Sequence, residues 1–334
     1  MDTRLDPRLA LLNGWQRDFP LAEAPFARIA DAHGLDEARV LQTYRDALAD
    51  GSLSRIGGVF AAGAGGAALL CAMAVPAARL DAVAAVVSAH PGVNHNYERE
   101  HRFNLWFVLT GRDAAQVDAG VRVLESATGC AALRLPMRRA YRIDLGFDLG
   151  GAHAGTPAAQ RDAHTRSAVA PADEPLAALA ERGLPLVARP FDEWAAVLGR
   201  PRRAVLATLR GWLARGTLRR FGAVVRHHEF GFAANAMTVF DVPDHRVDSL
   251  GVRLARQAGV TLCYRRERAP GWPFNLYCMV HGRSRDVVHA LLADAIGEAG
   301  LADCDLRVLF SRRRFKQQGA RRFGAAPVES RGGA

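Results

Sequence analysis

Lysine is nearly absent from this 334-residue chain; Lys316 is the only one. The formal net charge is nevertheless +10, so arginine carries almost all of the positive surplus. Arginine forks two donors onto carboxylate or phosphate, which suits an anionic ligand, although an excess spread over the whole chain also fits solvated surface. Cysteine is scarce as well. Cys71, Cys130, Cys263, Cys278 and Cys304 form no C-x-x-C pair and are odd in number. This argues against a zinc ribbon or a disulfide framework and favours a reducing compartment. No apolar stretch of the secretory kind follows Met1. The longest apolar run, about Val59 to Val75, is interrupted by glycine and ends at Pro76. It is short for a membrane span. The expectation is a cytoplasmic protein with no membrane partner, the run folding as a hairpin. With 49% hydrophobic residues the chain can bury the cores of two or three domains.

What the chain does contain is an internal repeat, which organises everything else. Pro20, Phe26, Val40, Tyr44, Leu48 and Leu53 recur as Pro185, Phe191, Val205, Leu209, Leu213 and Leu218. Leu80, Val83 and Val87 recur as Val247, Leu250 and Leu254. Their i, i+3, i+7 spacing predicts the same buried helix face in both halves. Each half opens with three short helical patterns, in the first about Pro7–Trp15, Leu21–Ala32 and Glu37–Asp50, the last stopped by Gly51. Two strands follow, about Ser54–Ala61 and Ala67–Val75, with a glycine-rich turn between them. The remainder reads helix (Leu80–Ala89), strand (Val93–Arg99), strand (Asn104–Thr110), helix (Ala115–Thr128), strand (Ala131–Arg138).

The predicted fold class is α+β: a tandem repeat of a winged or helix-turn-helix domain followed by a ferredoxin-like βαββαβ domain. The expected boundaries are 1–60 and 61–145 for the first pair of domains and 176–225 and 226–318 for the second. A linker at 146–175 and a loose tail at 319–334 complete the chain. His153 and His164 in the linker read as incidental, and His227-His228 adjoins a predicted hairpin turn.

Within the repeat one segment differs informatively. Val93-Asn94-His95-Asn96-Tyr97-Glu98-Arg99-Glu100-His101-Arg102-Phe103-Asn104-Leu105-Trp106-Phe107 has a counterpart beginning Val260-Thr261-Leu262-Cys263-Tyr264-Arg265-Arg266 and resuming at Pro273-Phe274-Asn275-Leu276-Tyr277. Tyr97 matches Tyr264, Arg99 matches Arg266 and Asn104 matches Asn275, but His95 faces Leu262. Alternation along a strand puts His95, Tyr97 and Arg99 on one face and Asn96 and Glu98 on the other. His101 falls in the tight connection, and Asn104 and Trp106 share a face of the next strand.

A helix-turn-helix unit followed by βαββαβ resembles the Lrp/AsnC regulators. The strings His95-Asn96-Tyr97-x-Arg99-Glu100-His101-x-x-Asn104-Leu105-Trp106-Phe107, Cys263-Tyr264-Arg265-Arg266, Gly271-Trp272-Pro273-Phe274-Asn275-Leu276, Met279-Val280-His281-Gly282 and Ser311-Arg312-Arg313-Arg314-Phe315-Lys316 resemble, more narrowly, the siroheme decarboxylases. Nearly the whole chain is covered, as a fusion of two homologous subunits. Leu262 departs from the family, whose second half often carries histidine there. The resemblance implies a carboxy-lyase that removes carboxyl groups from two acetate side chains of siroheme, giving 12,18-didecarboxysiroheme for haem d1 or alternative haem b synthesis. It implies no cofactor beyond the substrate's own iron, and protein partners that are further copies or homologous subunits.

On that footing His95 and His101 are the acid/base candidates and potential neighbours of the substrate iron, histidine being able to gain or lose a proton near neutrality. Arg99 would clamp a carboxylate, and Tyr97 would orient by hydrogen bonding. Trp106, Asn104, Tyr264, Arg266, Asn275 and His281 complete the expected substrate-binding set, although Trp106 reads more readily as core and Asn104 equally as a turn or edge residue. Arg138, Arg139, Arg312 to Arg314 and Lys316 either reach substrate carboxylates or stay solvated. Two other functions compete: a tetrapyrrole-binding sensor using the same histidines, and a DNA-binding regulator reading the major groove with Glu37–Asp50 or Arg202–Arg215. Asp36, Glu37, Asp46 and Asp50 in the first of those helices would repel phosphates, which makes DNA the less favoured partner.

Overall fold

The computed structural model describes residues 7–61, 63–143, 167–225 and 234–323. The first half runs α1 (Pro7–Gly14), α2 (Pro25–His33), α3 (Glu37–Ala49), β1 (Leu53–Phe60), β2 (Ala67–Met73), α4 (Leu80–Ala89), β3 (Val93–Arg99), β4 (Leu105–Gly111), α5 (Ala114–Thr128), β5 (Ala132–Leu135) and β6 (Met137–Ile143). The second runs α6 (Glu174–Arg182), α7 (Pro190–Leu198), α8 (Arg202–Ala214), β7 (Leu218–Val225), β8 (Ala234–Asp241), α9 (Val247–Ala255), β9 (Val260–Arg266), β10 (Leu276–Gly282), α10 (Arg285–Ala299) and β11 (Asp305–Gln317). His153, His164 and His227-His228 lie outside the described residues.

Local chemistry explains the element ends. Asp36 caps α3 by accepting from the Arg39 N–H at 2.7 Å, and Asp113 caps α5 by accepting from the Gln116 N–H at 2.7 Å. The two helix-turn-helix units then merge. The strands β1 and β7 pair antiparallel, with Gly57 opposite Gly222, and Phe26, Tyr44, Phe191, Trp212 and Phe221 fill one shared core. The expected hairpin between the strand at 54–61 and that at 67–75 is therefore not formed; β1 joins β7 while β2 pairs with β4 and β5. The reason is that β1 finds its partner in the other repeat. Each candidate recognition helix is also tied across the units. Arg45 donates from Nη2 to the Leu186 carbonyl at 2.9 Å, and Arg210 donates to the Leu21 carbonyl at 2.6 Å.

The ferredoxin-like halves follow the expected βαββαβ succession, with spatial strand order β5-β2-β4-β3 in the first and β11-β8-β10-β9 in the second. The helix faces read from the repeat are buried: Leu80, Val83 and Val87 on α4, Val247, Leu250 and Leu254 on α9. Each such side chain contributes roughly 1.5–3 kcal/mol by leaving water. The halves differ from the expectation at their last strands. The strand expected at Ala131–Arg138 is split at Pro136, which cannot donate to a ladder. After it β6 crosses to pair with β9, while the far end of β11 crosses to pair with β3. This exchange joins the two four-stranded sheets, one from each half, into one nine-stranded sheet in the order β5-β2-β4-β3-β11-β8-β10-β9-β6. Helices α4 and α5 cover the outer side of one sheet, and α9 and α10 that of the other. Between the inner faces Trp106, Met237, Trp272 and Tyr277 pack together with Leu309.

Two expected loose segments are partly docked. Within 167–175 of the expected linker, Val169 is buried and its N–H donates to the Ala64 carbonyl at 2.7 Å. Residues 319–323 of the expected tail pack on the first helix-turn-helix unit, with the Phe323 ring 4.8 Å from that of Phe60.

Candidate active site

A cavity of about 400 Å³ opens between the two sheets and reaches the β1–β7 ribbon. Strand alternation delivers its side chains. From β3 come His95, Tyr97 and Arg99; from β9 come Leu262, Tyr264 and Arg266, the matching face of the other repeat. The intervening residues point away: Asn96 donates to the Ala84 carbonyl on α4 at 3.1 Å, and Glu98 accepts from Arg313 Nε at 2.5 Å. Trp106, Tyr277 and His281 line the same cavity from β4 and β10.

His95 Nδ1 lies 2.6 Å from Asn94 Oδ1, and the Asn94 amide nitrogen donates to Thr110 at 3.3 Å. That amide orientation makes Nδ1 the protonated nitrogen and leaves Nε2 with its lone pair. Burial pushes the His95 pKa down to about 4, so the ring is neutral at neutral pH. The Tyr97 ring stacks beside it, with centroids 6.2 Å apart. Burial also lowers Arg99, to about 10, which leaves the guanidinium charged. It donates to the Leu309 carbonyl at 3.0 Å and spans the sheets to Met279. Arg266 sits over the rings of Tyr264 and Tyr277 at 5.2 and 5.7 Å and donates to the Leu135 carbonyl at 2.8 Å. Its Nε is buried with no hydrogen-bond partner. Burial raises Tyr264 and Tyr277 to about 12. Thr261 Oγ1 lies 3.0 Å from Nδ1 of His281, which is itself buried.

Three expected site residues are placed elsewhere. His101 lies in a shallow separate cleft beside Arg102, Trp272 and Arg307, where its Nδ1 accepts the Phe103 N–H at 3.1 Å. The aromatic chain His101–Trp272–Trp106, each step 5.3 Å between centroids, stands between it and the cavity. The tight turn after β3 rotates this ring off the strand's inner face. Asn104 clamps Val75, accepting its N–H and donating to its carbonyl, both at 2.9 Å. Asn275 does the same for Val242, at 3.0 and 2.8 Å. These asparagines are duplicated because both repeats need a strand end fastened. Arg138, Arg139, Arg312, Arg313, Arg314 and Lys316 also lie off the cavity. Arg138 pairs with Glu267 at 2.8 Å, Arg313 with Asp81 at 2.7 Å, and Lys316 donates to the Ser88 carbonyl at 2.6 Å.

The repeat concealed other lining residues. Arg55, Arg220 and Arg322 add three guanidiniums to those of Arg99 and Arg266, and Glu181 is the single acid that faces them among the described residues. Such a surface attracts a polyanion. The available signal was indirect: an arginine two residues after Leu53, where β1 begins, and the Arg321-Arg322-Phe323 string after the last predicted strand.

Comparison with known proteins places this geometry. A model described as the AsnC-like ligand binding domain matches residues 64–142 and 229–316, and one described as the siroheme decarboxylase NirDL-like HTH domain matches 9–53. The siroheme decarboxylase NirDL subunit of Paracoccus denitrificans (strain Pd 1222) is 42% identical over 316 residues, covering 94% of this chain and 97% of that protein. The siroheme decarboxylase NirD subunit of Stutzerimonas stutzeri is 51% identical over 140 residues, which is 42% of this chain and 92% of that protein. The crystal structure of the siroheme decarboxylase NirDL in complex with an iron-uroporphyrin III analogue superposes with a TM-score of 0.66 at 28% identity, covering 96% of this chain and 94% of that one.

Proposed function

This chain belongs to the siroheme decarboxylase family, a group of carboxy-lyases, and we propose that the cavity between its sheets is where siroheme is held and decarboxylated. The observation that carries this reading is the cavity's arginine surplus together with the unpartnered Arg266 Nε. A buried donor without a partner costs about 1–3 kcal/mol, and a carboxylate would satisfy it. Tyr264 and Tyr277, held protonated by burial, offer neutral walls against which a macrocycle can lie.

In this reading Arg99 and Arg266 grip rim carboxylates from the two repeats and fix the reacting acetate. The chemical step replaces a carboxyl group by a proton. Protonating a macrocycle carbon conjugated to the acetate turns the ring into an electron sink. The bond from the side-chain methylene to the carboxylate carbon then breaks, its electron pair passes into the ring, and carbon dioxide leaves. A proton delivered to the exocyclic carbon, with loss of the ring proton, completes the methyl group. One proton is consumed for each carbon dioxide released. His95 suits the proton transfers because Nε2 is its free nitrogen and the incoming carboxylates raise its proton affinity. No organic cofactor beyond the substrate's own iron is needed.

Leu262 removes the imidazole from the second repeat, yet His281 lines the same cavity. One cavity built by both halves therefore serves both acetates, with His95 the principal acid. The test is anaerobic incubation of the full chain with siroheme, followed by mass analysis of the pigment. Loss of two carbon dioxide masses is expected from the native chain, and none from His95→Ala, which still binds pigment through the arginines. Native turnover by His95→Ala removes the acid assignment; an unchanged pigment that stays bound to the native chain would favour a sensor.

A further inference from the structure

The cavity has a third wall that neither ferredoxin-like repeat supplies. After β11 the chain continues as a strap across the cavity mouth. The Gln318 N–H donates to the Asn94 carbonyl at 2.7 Å, beside His95, and Thr110 donates to the Arg321 carbonyl at 3.3 Å. The strap is then fastened to α6. Glu181 Oε2 accepts the N–H groups of both Arg322 and Phe323, at 2.7 and 3.1 Å. Phe323 inserts beside Phe60.

The glycine-rich turn after β1 is shaped to receive this strap. Gly65 and Gly66 have φ of +149° and +64°, conformations that side chains rarely adopt. A Cβ on Gly65 would stand 2.4 Å from the Phe323 ring, and one on Gly66 2.6 Å from the Arg322 Cβ. The turn and the strap therefore fit one another closely, although some 250 residues of chain separate them.

The docked strap brings Arg322 to the same wall as Arg55. Each guanidinium spends one Nη on a backbone carbonyl, Arg55 on Gly58 and Arg322 on Ala61, both at 3.2 Å. Each keeps a buried Nε with no hydrogen-bond partner. Both line the cavity, and Glu181 commits its Oε2 to backbone amides. We infer that Arg55 and Arg322 form a second carboxylate clamp at the helix-turn-helix end of the cavity, and that the strap 318–323 exists to complete it. The ligand group is a rim carboxylate on the edge of the macrocycle away from Arg99 and Arg266. This gives the helix-turn-helix units a role in substrate binding, since β1 and α6 anchor the clamp. The inference rests on the cavity being the tetrapyrrole site.

The test is an absorbance titration of the full chain with iron uroporphyrin III, a polycarboxylate that serves as the probe, and with the methyl ester of the same porphyrin. Arg55→Gln and Arg322→Gln should each weaken binding of the acid by about tenfold, the loss of one charge-assisted contact. Phe323→Ala should weaken it similarly by undocking the strap without touching the ligand. Affinity for the ester, whose carboxyl groups are capped, should be the same in all variants. Equal binding of the acid by native and variant chains overturns the clamp, as does an equal loss for acid and ester, which would mark Arg322 as a packing residue. A native chain that binds neither porphyrin fails differently, because it removes the cavity assignment itself.

Discussion

Binding of a polycarboxylate to this cavity should draw a proton from solution, and the amount follows from the surroundings of His95. Burial holds that ring at about 4, so at pH 6.5 well under ~1% of it is charged in the empty protein. A ligand carboxylate arriving about 4 Å away contributes about 4 kcal/mol at an effective dielectric constant near 20. That corresponds to about 3 pKa units, enough to lift His95 to about 7. At pH 6.5 the complex would then hold about 0.8 of a proton that the free partners did not. The assay is calorimetric titration with iron uroporphyrin III in two buffers of different ionisation enthalpy, where the difference in heat counts the protons. His95→Gln should abolish most of the uptake while the porphyrin still binds. His281→Gln is the necessary control, since His281 is the other imidazole on the cavity wall. Glu181→Gln is the second control, since burial raises that lining carboxyl and an incoming anion would raise it further. Full uptake in His95→Gln refutes the assignment. So does uptake near zero in the native chain, and a simultaneous shift in the porphyrin spectrum would then mark His95 as an iron ligand through Nε2.

The same burial makes a stability prediction. The unfolded chain protonates His95 near 6.5 and the folded one only near 4, so folding stability should fall as pH drops through that window, by up to about 3 kcal/mol, and His95→Gln should flatten the fall in urea titrations. Asn104→Ala should lower unfolding free energy by about 1–3 kcal/mol by stranding the Val75 N–H and carbonyl, with porphyrin affinity within about twofold of native. His101→Ala should retain decarboxylation of siroheme in the mass assay, because its ring lies behind Trp272; abolished turnover in a folded variant would restore it to the reacting set.

The parts of this architecture that were legible in the sequence are those written in short-range periodicity. The i, i+3, i+7 faces of α4 and α9 and the alternation of His95, Tyr97 and Arg99 follow from chain geometry alone, and the structure matches both. Pairing between distant strands leaves no such trace. Nothing in Ser54–Ala61 says that its partner is β7 and not the adjacent strand, because hairpin and long-range pairing bury the same residues. Pro136 did carry a signal, since a residue without an N–H interrupts a ladder, but where the chain goes next depends on the other repeat. The separation of His101 and Asn104 from the cavity has a related cause. Motif strings record which residues recur, and a recurring residue can serve a strand end as easily as a ligand. Asn104 and Asn275 recur because Val75 and Val242 recur.

The strand exchange also explains how the two repeats can differ at His95 and Leu262 and still build one cavity. Because β6 completes the second sheet and β11 completes the first, neither half presents a finished wall on its own. The cavity exists only where the two inner faces meet, so each lining residue belongs to the pair. A substitution such as His to Leu at 262 alters one part of a shared surface and leaves Tyr264 and Arg266 in place beside it. In a single chain the two halves meet intramolecularly, so their association does not depend on protein concentration. Once they are held so, the halves are free to diverge. One places His95 on the cavity wall, while the other supplies Arg266, the two tyrosines and, through the strap after β11, further lining residues.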